Sequence, residues 1–281
     1  MTATLGVVVA ALEARYDPAL AEDWDAVGLV CGDPDEPVDR VLFAVDPVAT
    51  VVDEVIETGA QLLVTHHPLF LTAVHGVPAD DPKGRLVHRL VRAGAGLFVA
   101  HTNADSAPDS GVNDALAAAL GLTGTVPLQP AAADPRAGLG RVGRLPEPVT
   151  LARFAELVAA ALPETVGGVR AAGDPGRRIK TVAVCGGSGG SLLPAAAAAG
   201  ADVLLTSDLR HHPVSEAQEG GGPAVCDVAH FASEWPWLPL AADALRRDLS
   251  GRVEVAVSRG RTDPWTWRAG AEGRPAADAA G

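Results

Sequence analysis

Arg40-Val41-Leu42-Phe43-Ala44-Val45-Asp46 and Gly59-Ala60-Gln61-Leu62-Leu63-Val64-Thr65-His66-His67-Pro68 set the fold of this chain. Each contains a short, continuous apolar run bounded by polar or turn-forming residues, the pattern of a strand buried on both faces. The residues from about Thr50 to Thr58 predict a helix between the two runs, stopped at Gly59, where glycine takes the left-handed cap conformation. Strand, helix and strand in so short a span make a β-α-β unit. A helix around Gly84 to Ala93 and a strand over Gly96 to Ala100 continue the alternation, which is that of a mainly parallel sheet covered by helices. Upstream, Leu5, Val8, Val9 and Leu12 have helical spacing.

The pattern then recurs. Ile179 to Cys185 parallels the Val41 strand, and Gly200-Ala201-Asp202-Val203-Leu204-Leu205-Thr206 parallels Gly59 to Thr65 down to its Gly-Ala lead-in. Each half reaches a third strand that ends in an Ala-His pair, Ala100-His101 and Ala229-His230, with a carboxylate four residues after the histidine, Asp105 and Glu234. The expectation is an α/β protein of two similar halves with mainly parallel sheets and a site in the cleft between them. The first half spans 1–127 and the second 149–268. Residues 128–148, rich in Pro, Gly and Ala, are expected to form a linker, and 269–281 a disordered tail.

The 281 residues are 48% hydrophobic and 20% charged, enough for a folded core, and the net charge of −13 repels nucleic-acid backbones and anionic lipid. Nonspecific nucleic-acid binding and membrane binding are therefore not expected. Cys31, Cys185 and Cys226 are isolated and odd in number, which gives neither a disulfide framework nor a zinc knuckle and points to a reducing cytoplasm. No signal peptide and no apolar stretch of membrane-spanning length is read.

His66 and His67 directly follow a strand, as do His101 with Asp105 and His230 with Glu234. In open parallel sheets the carboxyl ends of the strands line the ligand crevice. Neutral imidazoles with carboxylates suit divalent transition metals, and five or six such groups exceed one tetrahedral site, so two ions are expected. Asp46 and Asp208, also at strand ends, are expected to orient water or a metal-bound histidine, or to cap a helix. Gly186-Gly187-Ser188-Gly189-Gly190-Ser191 admits two readings, an anion cradle or a turn that needs glycine. His211-His212 lies too far past its strand and is left outside the site. His75 and His88 are read as surface residues, and Trp235-Pro236-Trp237 as packing.

Trp24-Asp25-x-Val27-Gly28-Leu29, Leu63 to Phe70 with its paired histidines, His101-Thr102-Asn103-x-Asp105 with Gly111-Val112-Asn113, and His230-x-x-x-Glu234 together resemble the Nif-three-like dinuclear metal centre family, over about residues 5 to 267. Its members are commonly called GTP cyclohydrolase 1 type 2 homologues. The resemblance implies that His66, His67, Asp105, His230 and Glu234 bind two divalent ions (Zn, Fe, Mn or Co), with His101 either behind them or ligating directly. It also implies a toroidal homohexamer with the metal sites facing its cavity. Asp227-Val228-Ala229-His230 departs from the family pattern, where a glycine often precedes the histidine. The expected activity is metal-dependent hydrolysis of a small molecule, with a nucleotide as the first candidate, and no catalytic residue is assigned. The rival expectation is a metal-binding or regulatory scaffold without turnover.

Overall fold

The structure, a computed structural model, describes residues 3–269. The expected tail lies outside them from residue 270 onward. In chain order the first elements are β1 (Ala3–Thr4), α1 (Leu5–Arg15), β2 (Gly28–Cys31), β3 (Pro37–Val38), β4 (Arg40–Ala44), α2 (Ala49–Thr58), β5 (Leu62–Thr65), α3 (Pro82–Arg92), β6 (Gly96–Val99), α4 (Thr102–Ser106) and α5 (Val112–Ala119). There follow β7 (Thr123–Pro130), β8 (Gly138–Thr150), α6 (Leu151–Ala161), β9 (Arg170–Ala172), β10 (Arg178–Ser188), α7 (Leu193–Ala198), β11 (Val203–Ser207), α8 (His211–Glu219), β12 (Ala224–Val228), α9 (His230–Glu234), α10 (Trp237–Asp248) and β13 (Glu254–Val257).

The fold is α/β, as expected. One sheet has the order β13-β4-β5-β6-β2, parallel except for the edge strand β2. The other has the order β7-β8-β10-β11-β12-β9; only β10, β11 and β12 run parallel, so this sheet is mixed. Successive side chains of β4 divide between two layers: Val41 and Phe43 pack with α1 and α10, and Leu42 and Ala44 with α2. That double burial is why these strands lack polar alternation. In the second sheet Val182, Val203 and Leu205 pack against α6, while Ala183 and Leu204 pack against α7.

The expected linker is a correction. Residues 128–148 belong to the β7–β8 hairpin, which joins the second sheet. Its prolines mislead because Pro130 sits on β7, an edge strand where a missing N–H costs no ladder bond, while Pro146 and Pro148 fall in β8 where its pairing with β10 is irregular. Gly138 misleads because it reads as a loop residue; it stands at a crossing so close that a Cβ would come 2.2 Å from the Gln129 carbonyl oxygen. The hairpin is fastened by Arg141, which is 2% exposed. Its guanidinium donates to both carboxylate oxygens of Asp114 at 2.6 and 3.0 Å and to the carbonyls of Gly138, Gly140 and Ala107 at 2.8, 2.9 and 2.9 Å.

The expected division at 148 also differs from the observed course of the chain, because α10 and β13 return to the first sheet. Trp237 of α10 is fully buried there, edge-on to Tyr16 and Phe43. Its indole N–H donates to the Tyr16 hydroxyl at 3.1 Å. Burial pushes Tyr16 up to about 12 against the opposing pull of that bond. Trp237→Ala is expected to destabilise the protein by about 3–5 kcal/mol, measured by denaturant unfolding, since the cavity left behind cannot collapse between a sheet and two helices.

Candidate metal centre

The carboxyl ends of both sheets meet at one place. β5 runs directly into His66 and His67, β6 leads through Ala100 to His101, and β12 leads through Ala229 into α9, whose first and last residues are His230 and Glu234. A separation of four residues puts those two side chains on one face of the helix. Asp105 sits on α4, the turn of helix after His101. All five residues expected as ligands are thus brought together.

Each imidazole is held by its Nδ1. His67 bonds Asp46 at 2.6 Å, His230 bonds Asp208 at 2.6 Å, His101 bonds Asp25 at 2.8 Å, and His66 bonds the Ala100 carbonyl at 2.9 Å. With Nδ1–H donating, each neutral ring carries its lone pair on Nε2. For His66, His67 and His230 that atom turns toward the centre, where Glu234 collects them. Its Oε1 is 2.9 Å from His230 Nε2 and 3.4 Å from His66 Nε2, and its Oε2 is 3.1 Å from His67 Nε2. Asp105 Oδ1 stands 3.7 Å from His66 Nε2. Candidate ligand atoms of His66, His67 and His101 lie within 4.8 Å of one another, as do those of His67, His230 and Glu234. Two triads therefore share His67.

These groups could hold metal on a specific observation: His66 Nε2, Asp105 Oδ1 and Glu234 Oε2 are all buried without a hydrogen-bond partner. Buried polar atoms are normally paired, so three orphans converging on one point mark a place for a cation. The electrostatics agree. Burial pulls the His67 imidazole down, but Glu234 and Asp46 override it and push it up to about 11. Burial likewise opposes His230, and Glu234 with Asp208 raises it to about 9. Burial would raise Glu234, yet the surrounding imidazoles hold it well below the usual carboxylate range. Burial does raise Asp105, against the pull of His66. Without metal, the carboxylates favour the protonated form of His67 and His230.

The glycine-rich segment forms a wall of this site. Three of its amides are taken: Gly186 donates to Asn113 Oδ1 at 2.9 Å, Gly187 to Ser233 Oγ at 2.9 Å and Gly189 to Thr206 Oγ1 at 2.8 Å. Gly187 has φ +67°, and a Cβ there would come 2.6 Å from Glu234 Oε1 and 3.1 Å from His230 Nε2. Gly187→Ala is therefore expected to weaken metal binding at least about tenfold in a chelator-competition titration, with the fold retained at a cost of roughly 1–2 kcal/mol. An unchanged affinity would remove Gly187 from the wall of the site.

Asp46 and Asp208 orient histidines, one of the roles open to them. Asp46 is itself held by the Thr262 hydroxyl. Asp208 takes a left-handed φ of 56°, unusual outside glycine, and that conformation carries its carboxylate to His230. Asp25 was not foreseen in any role. Besides His101 it accepts from the Thr102 amide at 3.0 Å and from the Thr102 hydroxyl. Burial favours its neutral form, yet these bonds hold its carboxyl well below the ordinary value. His211 and His212 are exposed and stacked edge-on at the start of α8, away from the cluster. His75 is exposed, and His88 Nε2 bonds the Val77 carbonyl at 3.0 Å.

The chain matches the Duf34/NIF3 (NGG1p interacting factor 3) family over residues 3–264. It is 52% identical to a Streptomyces coelicolor protein named GTP cyclohydrolase 1 type 2 homolog, an alignment covering 93% of each chain. A Mycobacterium tuberculosis protein of the same name is 38% identical over 94% of this chain and 97% of its own. Among solved structures, a Staphylococcus aureus hypothetical protein superposes with a TM-score of 0.87 at 27% identity, covering 95% of this chain and all of the other. A Bacillus cereus protein related to NIF3 gives a TM-score of 0.87 at 24% identity, covering 95% and 99%, and supports the fold. With the matched region enclosing both strand-end histidine motifs and the Glu234 helix, the chain belongs to the Duf34/NIF3 family.

Proposed function

We propose that this protein is a dinuclear divalent-metal-dependent hydrolase, with His66, His67, Asp105, His230 and Glu234 as ligands and His101 available to the first triad. The observation that supports this most is the set of three orphaned buried atoms facing imidazoles whose Nδ1 atoms are already committed. Two ions from the group Zn, Fe, Mn and Co would supply Lewis-acid charge that acidifies water and polarises an electrophile. The chain's own part is positioning. Asp46, Asp208 and Asp25 fix ring orientation, Glu234 offers both oxygens to three imidazoles, and Gly187 keeps the backbone close without filling the site.

A small-molecule substrate follows from the name of the relatives, and a nucleotide hydrolysed at its purine ring is the specific candidate. We further propose a cytoplasmic homohexamer. No helix among the described residues is long and apolar enough to cross a membrane, and the three cysteines are free. The first test is elemental analysis of protein purified without chelator, with about two ions per chain expected. Less than ~0.3 ion per chain after reloading overturns the metal reading. The second test is product release from nucleotides and small phosphoesters by the loaded protein. Turnover that persists in fully metal-free protein at neutral pH overturns the mechanism; absence of any turnover leaves the scaffold.

A further inference from the structure

A cavity of about 670 Å³ adjoins the centre, with His67 and His230 in its wall. That volume suits a ligand the size of a mononucleotide. The far wall is built by the segment after β13, which contributes Trp265 and Arg268. Trp265 is 72% exposed, a large aromatic plate open to the cavity. Most charged groups around it are otherwise engaged. Asp46 holds His67, Asp208 holds His230, Asp227 pairs with Arg170, and Asp263 accepts the Trp265 amide at 3.3 Å. Among the described residues Arg268 is the one cation on this wall without an ion-pair partner, in a chain whose net charge is −13; Asp263 has none either, and its Oδ2 is buried without a hydrogen-bond partner.

An unpaired cation and an open indole on the wall facing a metal centre form a recognition pair: the ring face of Trp265 stacks on a planar heterocycle, and the guanidinium takes an anionic group. We infer that Trp265 and Arg268 bind the substrate of this centre, an anionic ligand with a planar ring, and turn its reacting part toward His67 and His230. Trp267, 76% exposed in the same segment, is not in the cavity wall and serves as an internal control. The inference deepens the hydrolase reading and rests on it for what reacts, not for what binds.

The test measures binding of GMP, guanosine and ribose 5-phosphate by calorimetry, to the full chain both metal-loaded and chelator-treated, with ion content determined in parallel. Trp265→Ala should weaken GMP and guanosine about tenfold and leave ribose 5-phosphate unchanged. Trp265→Phe should restore most of the loss. Arg268→Gln should weaken GMP and ribose 5-phosphate about tenfold, leave guanosine unchanged and reduce the salt dependence of GMP binding. Trp267→Ala should change none of them. Neither Trp265 nor Arg268 is buried, so bound metal should stay at wild-type level in all variants. If GMP fails to bind wild-type protein that holds its ions, the inference falls and the metal reading stands. If GMP binds as described to protein that takes up no ions, the hydrolase reading falls and the binding wall stands. If Trp265→Ala changes only the mass seen by light scattering, Trp265 is a subunit contact and the inference is wrong.

Discussion

Glu234→Gln is expected to lower metal affinity by more than about 100-fold, beyond the loss usual for residues that merely orient ligands. Both of its oxygens lie within 3.4 Å of imidazole nitrogens from two different sheets, so one amide replaces the anion common to the whole cluster. An amide also presents an N–H₂ where a lone pair was. The same variant carries a second signature in metal-free protein. His67 is raised to about 11 and His230 to about 9 against the pull of burial, with Glu234 a principal cause for each. In Glu234→Gln both should titrate closer to, or below, their ordinary value, measured by histidine NMR. His211→Gln, on the exposed start of α8, should alter neither affinity nor these titrations. Equal metal loss in the two variants would mean that the centre lies elsewhere.

The second large effect is the pH dependence of metal uptake. Ordinary histidines would begin to compete with metal only below about pH 6.5. Here the metal-free folded state holds protons on His67 up to about 11 and on His230 up to about 9. Both are folded values raised above the unfolded one. The stability these protonated groups give the metal-free protein is fully present below about pH 6.5 and is lost as pH rises through 9 and then 11. Metal binding must displace the same protons. Between pH 6.5 and 8.5 at least two protons should therefore leave per loaded chain, and affinity should fall about 100-fold for each unit of acidification. Calorimetry in buffers of different ionisation enthalpy counts the protons directly. A release near zero at pH 7 would show that the imidazoles are already neutral and that Glu234 is not held against them.

What was legible in the sequence follows from how local each signal is. The strands β4, β5, β6, β10, β11 and β12 declare themselves because burial on both faces demands unbroken apolar runs. His66, His67, His101 and His230 declare themselves because each follows a strand closely, and the carboxyl ends of parallel strands face the crevice. Asp25 could not be assigned, since its partner His101 is 76 residues away and no periodicity links them. The β7–β8 hairpin was hidden because proline and glycine signal loops, while here an edge position and a tight crossing require them. The glycine-rich segment was ambiguous for a similar reason. Whether amides face a ligand or a neighbouring side chain depends on Asn113, Thr206 and Ser233, which only the assembled fold brings near.

The return of α10 and β13 to the first sheet has a consequence for how the protein is made. The edge of β4 that β13 covers, and the Tyr16 and Phe43 faces that Trp237 covers, belong to segments that leave the ribosome about 200 residues earlier. Until Val257 emerges, the first sheet offers a bare strand edge and an open aromatic face, the surfaces that promote association between nascent chains. The second sheet has all its strands by Val228 and can form first. Closure of the first sheet thus runs against the direction of synthesis: the sheet that carries His66 and His67 is translated first, and its last strand, β13, is among the last segments made.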